Sequence, residues 1–414
     1  RNVDPGSYAF EIIIQGESRG HFRKKMPFTI DVYSTRLPEQ SLLVANWHYP
    51  AFLQRLDQDT TKQGYGGGSE KIAVMMHDYG QNAVFLSPVY LADYSFNEEG
   101  QVERISMEKF AKNIELFDRH MNLKLITGGH LAKRMDGWKK PFKMAVPQRG
   151  TDGETVFEYL PFEDSRVVRF YDKFLDSLSV FLRRSGWIEK YVQHIADEPI
   201  EENAENYAEI ARYVRRKMPG VRIIEAIQDC AVTSDVDVLV PQLDFLHKNR
   251  DYFFKQCVGK EFWFYTSHLP QGTYANRHIR QPLLKTRLLH WINYKYHVNG
   301  YLHWGYNYWL SSIPELETSA IQVTGTVLPG GDCWIVYPEG DSIAPSVRLE
   351  AMRDGIGDYE LLKLAEQKDE ASVRNIVDQV IYDFDCYESD IIKFRQIRRQ
   401  LLKLLEPDSL QIRK

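Results

Sequence analysis

The stretch YVQHIADEPIEENAENYAEIARYVRRKMPGVRIIEAI, residues 191–227, reads as strand, helix, strand. The apolar run YVQHIAD (191–197) closes on two acids, Asp197 and Glu198, followed by Pro199. Proline disfavours helical geometry in the residue before it, so the strand ends here and a helix starts near residue 200. Tyr207, Ile210, Ala211, Val214 and Met218 then form one helical stripe. Glu201 and Glu202 lie at its start and Arg215, Arg216 and Lys217 at its end, as the helix dipole favours. Pro219-Gly220 stops the helix, and VRIIEAI (221–227) begins a second strand. Strands that alternate with helices pair in parallel.

The same rhythm extends both ways. Apolar runs recur at 42–47, 71–77, 123–129, 191–197, 221–227, 236–242, 261–267 and 300–307. Eight such units predict an α/β protein with a (β/α)8 barrel over residues 39–365. A second amphipathic helix is legible at 163–185, stopped by Gly186, whereas 228–235 is too short for a crossover helix. Residues 131–162 exceed a plain loop and suggest a hairpin insertion at the face where substrate sites form. Residues 1–38 read as a short N-terminal β segment, either the end of a β-sandwich or a small flap. A helical extension is expected over 366–414, and GYGGGSE (64–70) reads as a turn.

Composition narrows the function classes. The chain has 414 residues, 43% hydrophobic and 26% charged, with a net charge of −5 and both signs interspersed. That balance gives no nucleic-acid or anionic-membrane surface, and no apolar run is long enough to span a bilayer. The opening RNVDPGSYAFEIII lacks the form of a signal peptide and has no initiator Met, so a mature or trimmed product is expected. Cys230, Cys257, Cys333 and Cys386 show no CxxC spacing. HExxH, GxSxG and a phosphate-cradling glycine loop after a strand are likewise missing, so no metal and no cofactor is expected.

In a (β/α)8 barrel the chemistry sits at the C-terminal strand ends, and Asp197 and Glu198 end the fourth strand. One reading is an acidic turn that favours a helix N-terminus; the other is a working pair. Two neighbouring carboxylates cannot easily flank a sugar as the separated pair of most glycosidases does. They suit substrate assistance, in which the sugar's 2-acetamido oxygen attacks the anomeric carbon. Glu198 is then the general acid/base, its pKa raised by the nearby Asp197, and Asp197 orients the acetamido N–H. FWFYTSHLPQGTYANRHIRQP (262–282) adds Trp263, Tyr265, His268, Tyr274, Asn276 and Arg277 as ligand-like groups, and YLHWGYNYW (301–309) adds Trp304, Asn307 and Trp309. His77 and His130 are weaker candidates at the ends of the second and third runs.

HIADEP, the 262–309 region and DCWIVYPEGDSIAPSVRLEAMRDGIGDYELL together resemble the catalytic domain of glycoside hydrolase family 123. The most specific marker is VRLEAMRDGIGDYE. The resemblance spans roughly residues 40–365 and implies a barrel preceded by a β-sandwich, here mostly missing. It implies a retaining exo-β-N-acetylgalactosaminidase working through an oxazoline, with Asp197 and Glu198 as the pair, Tyr265 on the acetamido oxygen, and a glycan or glycoconjugate substrate. By the same analogy the protein would be secreted or periplasmic. The alternatives are another sugar on the same barrel, or a non-catalytic carbohydrate-binding protein.

Overall fold

The computed structural model describes residues 3–17, 21–53, 67–309, 322–323 and 326–406. Eight parallel strands close into a barrel. They are β1 (Leu43–Asn46), β2 (Ala83–Leu86), β3 (Leu125–Gly128), β4 (Tyr191–Gln193), β5 (Arg222–Ile227), β6 (Val238–Pro241), β7 (Glu261–Tyr265) and β8 (Gly300–His303). Closure comes from β8 pairing with β1 in the register Gly300↔Leu43 to His303↔Asn46.

Seven of the eight expected runs supply a barrel strand; the run at 71–77 does not. It lies in helix α1 (Gly67–Asp78), with Ile72, Ala73 and Met76 buried and Val74 and His77 exposed. A short apolar run satisfies both periods, and Ala and Met are strong helix formers. The second strand is the four-residue AVFL after the turn at Gly80. His77 therefore sits in the helical turn that feeds the start of β2, at the end of the barrel away from the mouth.

The remaining crossovers follow the sequence closely. Helix α2 (Glu108–His120) precedes β3, α3 (Ser165–Arg184) precedes β4, and α4 (Ala204–Lys217) precedes β5. Gly186 stops α3 at φ 75°. Between β5 and β6 there is only the 3-10 turn Thr233–Asp235, the short spacer the sequence predicts. Two short helices, α5 (Leu243–Lys248) and α6 (Arg250–Gln256), join β6 to β7, and α7 (Leu283–Lys295) joins β7 to β8. The insertion after β3 is a three-stranded antiparallel sheet of Ala132–Lys133, Lys143–Arg149 and Thr155–Pro161. At the N-terminus, Gly6–Gly16 and Phe22–Val32 form an exposed antiparallel ribbon.

Inside the barrel, Ala45, Ala83, Leu125, Val192, Ile224, Val238, Trp263 and Leu302 pack together. The Trp263 indole lies so close to β8 that a Cβ at Gly300 would overlap it, so only glycine fits there. Trp263 is fully buried with its Nε1 donating to Glu261 Oε1 (2.8 Å), which makes it packing rather than a ligand contact.

The C-terminal helices α8 (Val347–Asp378) and α9 (Ile391–Leu405) are separated by the strand pair Ile381–Asp383 and Cys386–Tyr387. Here the VRLEAMRDGIGDYE marker finds a physical role. Arg348 donates to the carbonyls of Arg277 (2.9 Å), Gly331 (2.9 Å) and Trp334 (3.0 Å). Gly355 lets α8 approach α7 so closely that a Cβ would overlap the Arg287 carbonyl oxygen. Glu360 accepts from the backbone N–H groups of Ser41 (2.7 Å) and Leu42 (2.8 Å), fixing the entry to β1. Asp358, fully buried, accepts from Arg287 Nε (2.7 Å), Arg287 Nη2 (3.0 Å), Trp291 Nε1 (3.0 Å) and Arg398 Nε (2.5 Å). Removing one member of a buried charge network strands the others, so Asp358→Ala is expected to cost about 3–5 kcal/mol, read by equilibrium urea unfolding.

Candidate active site

The mouth is built from residues just past the strand ends. The chain leaves β4 through His194, Ile195 and Ala196, all buried, and reaches Asp197 and Glu198. Glu225 on β5 shapes this exit. Its Oε2 accepts from Ile195 N (2.9 Å), Ala196 N (3.2 Å) and Tyr207 OH (3.2 Å), and its Oε1 lies 2.8 Å from His194 Nδ1. Burial alone would raise the Glu225 pKa, but His194 and His130 beside it hold the carboxyl at about 2. It is an enclosed carboxylate that bends the strand end into place.

Glu198 adopts φ 44°, a left-handed conformation uncommon for any residue but glycine. Such a backbone costs about 1–3 kcal/mol and persists only where its surroundings enforce it. On a regular strand the side chains of 197 and 198 would face opposite ways. The left-handed turn removes that constraint. The Asp197 charge raises the pKa of Tyr49 after β1, His130 after β3 and Tyr265 on β7. Its side chain is 51% exposed, and Oδ1 lies 3.9 Å from His130 Nε2.

Glu198 points into a polar cluster formed at the ends of β5, β6 and β7. Tyr265 OH donates to Glu198 Oε1. Gln228 Nε2, just after β5, donates to Glu198 Oε1 (2.7 Å) and to Gln242 Oε1 (3.0 Å) and lies 2.9 Å from Tyr265 OH. Burial and the Asp197 charge push the Glu198 pKa up to about 7, against the hydrogen bonds from Tyr265 and Gln228 and the charge of Arg134. Burial and Glu198 hold the Tyr265 hydroxyl well above its ordinary range, so it stays a donor. The two acids thus differ in environment: Glu198 is enclosed among polar partners with its pKa raised, and Asp197 is open to solvent.

An aromatic wall completes the mouth. Trp47 meets His130 (5.3 Å) and His194 (5.4 Å) edge-on and packs on Phe85 (4.6 Å). Trp304, half-buried, meets Tyr308 (5.4 Å) and Tyr49 (6.4 Å) edge-on. Asp332 is buried with His303 Nε2 3.4 Å from its Oδ1, and burial pushes its carboxyl up to about 7.

Of the residues singled out from the sequence, Asp197, Glu198, Tyr265 and His130 converge, with Trp304 on the adjoining wall. The others lie elsewhere or are engaged by the scaffold. His268 is half-buried on the loop after β7, its Nδ1 3.4 Å from Ser267 Oγ. Asn276, fully buried, donates to Ser267 O and Pro270 O (2.9 Å each) and pins that loop. Arg277, also fully buried, donates to Asn46 Oδ1 (2.7 Å) and Asp332 O (3.1 Å). Tyr274 OH meets His247 Nδ1 (2.9 Å). Asn307 brackets Tyr49, accepting from its N–H (2.8 Å) and donating to its carbonyl (3.2 Å). Trp309 is core, donating to Val336 O (2.9 Å). Sequence reasoning misses Trp47, Arg134, Glu225, Gln228, Gln242 and Asp332. Trp47, Gln228 and Gln242 each follow a barrel strand directly, and Glu225 is a lone carboxylate inside an apolar run; those are the signals that could find them.

Among the described residues, His130, His194 and Glu225 bring one potential metal-ligand atom each to within 4.8 Å of one another. His194 Nδ1 faces Glu225, whose other oxygen accepts from backbone amides, while His194 Nε2 and His130 Nε2 are buried without a hydrogen-bond partner among the described residues.

The chain matches the family described as glycoside hydrolase 123, catalytic domain, over residues 70–365. No curated protein matches it. A family 123 glycoside hydrolase from Clostridium perfringens, solved to give the details of glycolipid glycan hydrolysis, superposes with a TM-score of 0.72 at 15% identity, covering 98% of this chain and 75% of that one. A β-D-glucuronidase from Dictyoglomus thermophilum matches with a TM-score of 0.42 at 12% identity, covering 84% of this chain and 57% of that one. With a closed eight-stranded barrel and the family match over most of its length, the chain belongs to glycoside hydrolase family 123.

Proposed function

We propose that this glycoside hydrolase is a retaining, exo-acting β-N-acetylgalactosaminidase that uses its substrate's 2-acetamido group as nucleophile. The observation that carries the reading is the Asp197–Glu198 turn, which sets an open carboxylate beside an acid with a pKa near 7. Of the other carboxylates near the mouth, Glu225 and Asp332 are wholly enclosed and poorly placed to attack an anomeric carbon.

The steps balance without further groups. Glu198 protonates the glycosidic oxygen as the C1–O bond breaks. The acetamido oxygen bonds to C1, and the positive charge spreads over the forming ring. Asp197 accepts the acetamido N–H, which grows more acidic as that charge develops. Tyr265 is the proposed donor to the acetamido oxygen; here its hydroxyl rests on Glu198. Water then opens the oxazoline with Glu198 as base, and the two inversions at C1 leave the product β-configured. Trp304 offers an apolar face to the sugar's C–H groups.

The acid is competent only below its pKa. The log of kcat/KM is therefore expected to fall above about pH 7, one unit per pH unit, as Glu198 ionises. A pH profile from about pH 5 to pH 9 reads this directly. The reading as a whole is tested by turnover of chromogenic β-GalNAc and β-GlcNAc glycosides. Higher kcat/KM on β-GalNAc with release of β-GalNAc supports it. Equal activity on a 2-hydroxy sugar, or release of the α-anomer, rejects it. Binding of GalNAc-thiazoline without any turnover would favour a carbohydrate-binding protein.

A further inference from the structure

We propose that Arg134 is a positioning residue for the acid pair: its guanidinium, reaching in from the inserted sheet, fixes the turn that presents Asp197 and Glu198 to the mouth. The inference rests on the proposed roles of that pair.

Three of its N–H groups are committed. Nη1 donates to the Asp197 carbonyl (2.5 Å), Nη2 to the Glu198 carbonyl, and Nε to the Trp138 carbonyl (3.2 Å). The planar group is held in place by stacking, 3.8 Å over the Trp138 ring and 5.0 Å from that of Phe142. The support is itself anchored. Phe142 N donates to Asn206 Oδ1 (2.8 Å) on α4, and Trp138 O also accepts from Asn203 Nδ2 (3.2 Å). The inserted sheet and the start of α4 thus grip the guanidinium, and the guanidinium grips two consecutive carbonyls. A left-handed residue turns successive carbonyls towards one side, and a rigid fork of donors matches that geometry where an ammonium does not.

The position also sets charge. Facing Glu198 are Asp197 from the same turn, Tyr265 from β7, Gln228 beyond β5, and Arg134 from the insertion. Beyond them, Glu225 lies 2.8 Å from His194 Nδ1 and 3.6 Å from His130 Nε2. Arg134 is the permanent cation among these groups, and its charge favours ionised Glu198. Losing the charge leaves Asp197 unopposed, so Glu198 holds its proton to higher pH.

Arg134→Lys and Arg134→Ala separate geometry from charge. Turnover of 4-nitrophenyl β-GalNAc is followed across pH, with the thermal midpoint of each variant. Both variants are expected to lose roughly 10–100-fold in kcat, with a much smaller change in KM, because the acids lose their alignment. The alkaline limb is expected to move to higher pH in Arg134→Ala and to stay in place in Arg134→Lys. A kcat within twofold of wild type in both, an effect on KM alone, or a fallen thermal midpoint with an unmoved limb in Arg134→Ala would overturn the assignment. If Arg134→Ala does not fold, Arg134→Lys decides by its kcat at an unmoved limb. Wild-type turnover in Glu198→Gln would instead sink the functional reading; normal Arg134 variants beside a dead Glu198→Gln sink only this inference.

Discussion

Glu198→Gln is expected to lower kcat on an alkyl β-N-acetylgalactosaminide by about 10²–10⁴-fold, the range of a positioned general acid. The substitution keeps shape and removes the proton that the leaving oxygen needs. The loss should therefore depend on the leaving group. An alkoxide cannot depart unprotonated and shows the full effect, whereas 2,4-dinitrophenolate departs unaided and shows little in the first step. The alkaline limb near pH 7 should vanish from the variant's profile, since Glu198 is the group that titrates there. Stability should move the other way. Glu198 has a folded pKa of about 7 against 4.5 for the ordinary carboxyl, so the folded state binds its proton more tightly than the unfolded chain. Its contribution is favourable in acid and is lost as pH rises through about 7. The neutral amide escapes that loss. The thermal midpoint of Glu198→Gln should exceed wild type at about pH 8 and converge with it at about pH 5. Activity and stability changing in opposite directions distinguishes a working acid from a structural one.

Asp197→Asn is the second large effect. An amide in this position can still accept from the acetamido N–H but brings no negative charge to the forming oxazolinium. Losing one such electrostatic contact at a developing charge costs about 10²–10³-fold in kcat. GalNAc-thiazoline, which resembles the ring, should bind correspondingly less tightly. The pH profile carries an independent mark. The Asp197 charge is second only to burial in raising the Glu198 pKa, so its removal should shift the alkaline limb to lower pH. Arg134→Ala moves the same limb upward, and the opposite signs tie both groups to one titrating acid.

Much of this architecture is legible in the amino-acid sequence. Seven of the eight barrel strands are written as short apolar runs between helix stripes and stop signals. The second strand is not, because four apolar residues (Ala83–Leu86) make a weaker signal than the five consecutive ones (Ile72–Met76) of the helix that precedes them. Asp197 and Glu198 are legible from Pro199, which marks where the strand must end. Arg134 is not, since nothing in its local sequence says that a lone arginine on an insertion will meet carbonyls 63 and 64 residues away. Asn276, Asn307 and Trp309 show the converse. Their residue types suit sugar binding, yet burial turns their hydrogen-bonding capacity inward to hold the loops that frame the mouth. The family's marker motif likewise carries no chemistry of its own: Arg348, Gly355, Asp358 and Glu360 lock α8 onto the barrel.

The central claim is that the substrate supplies the nucleophile. It is tested most directly by kcat/KM across 4-nitrophenyl β-galactosaminides bearing N-acetyl, N-fluoroacetyl, N-difluoroacetyl and N-trifluoroacetyl groups. Each fluorine weakens the attacking carbonyl oxygen without changing the leaving group. A steep, monotonic fall along the series is the result expected here; a flat series, or a 2-hydroxy galactoside cleaved as fast as the N-acetyl sugar, would contradict it.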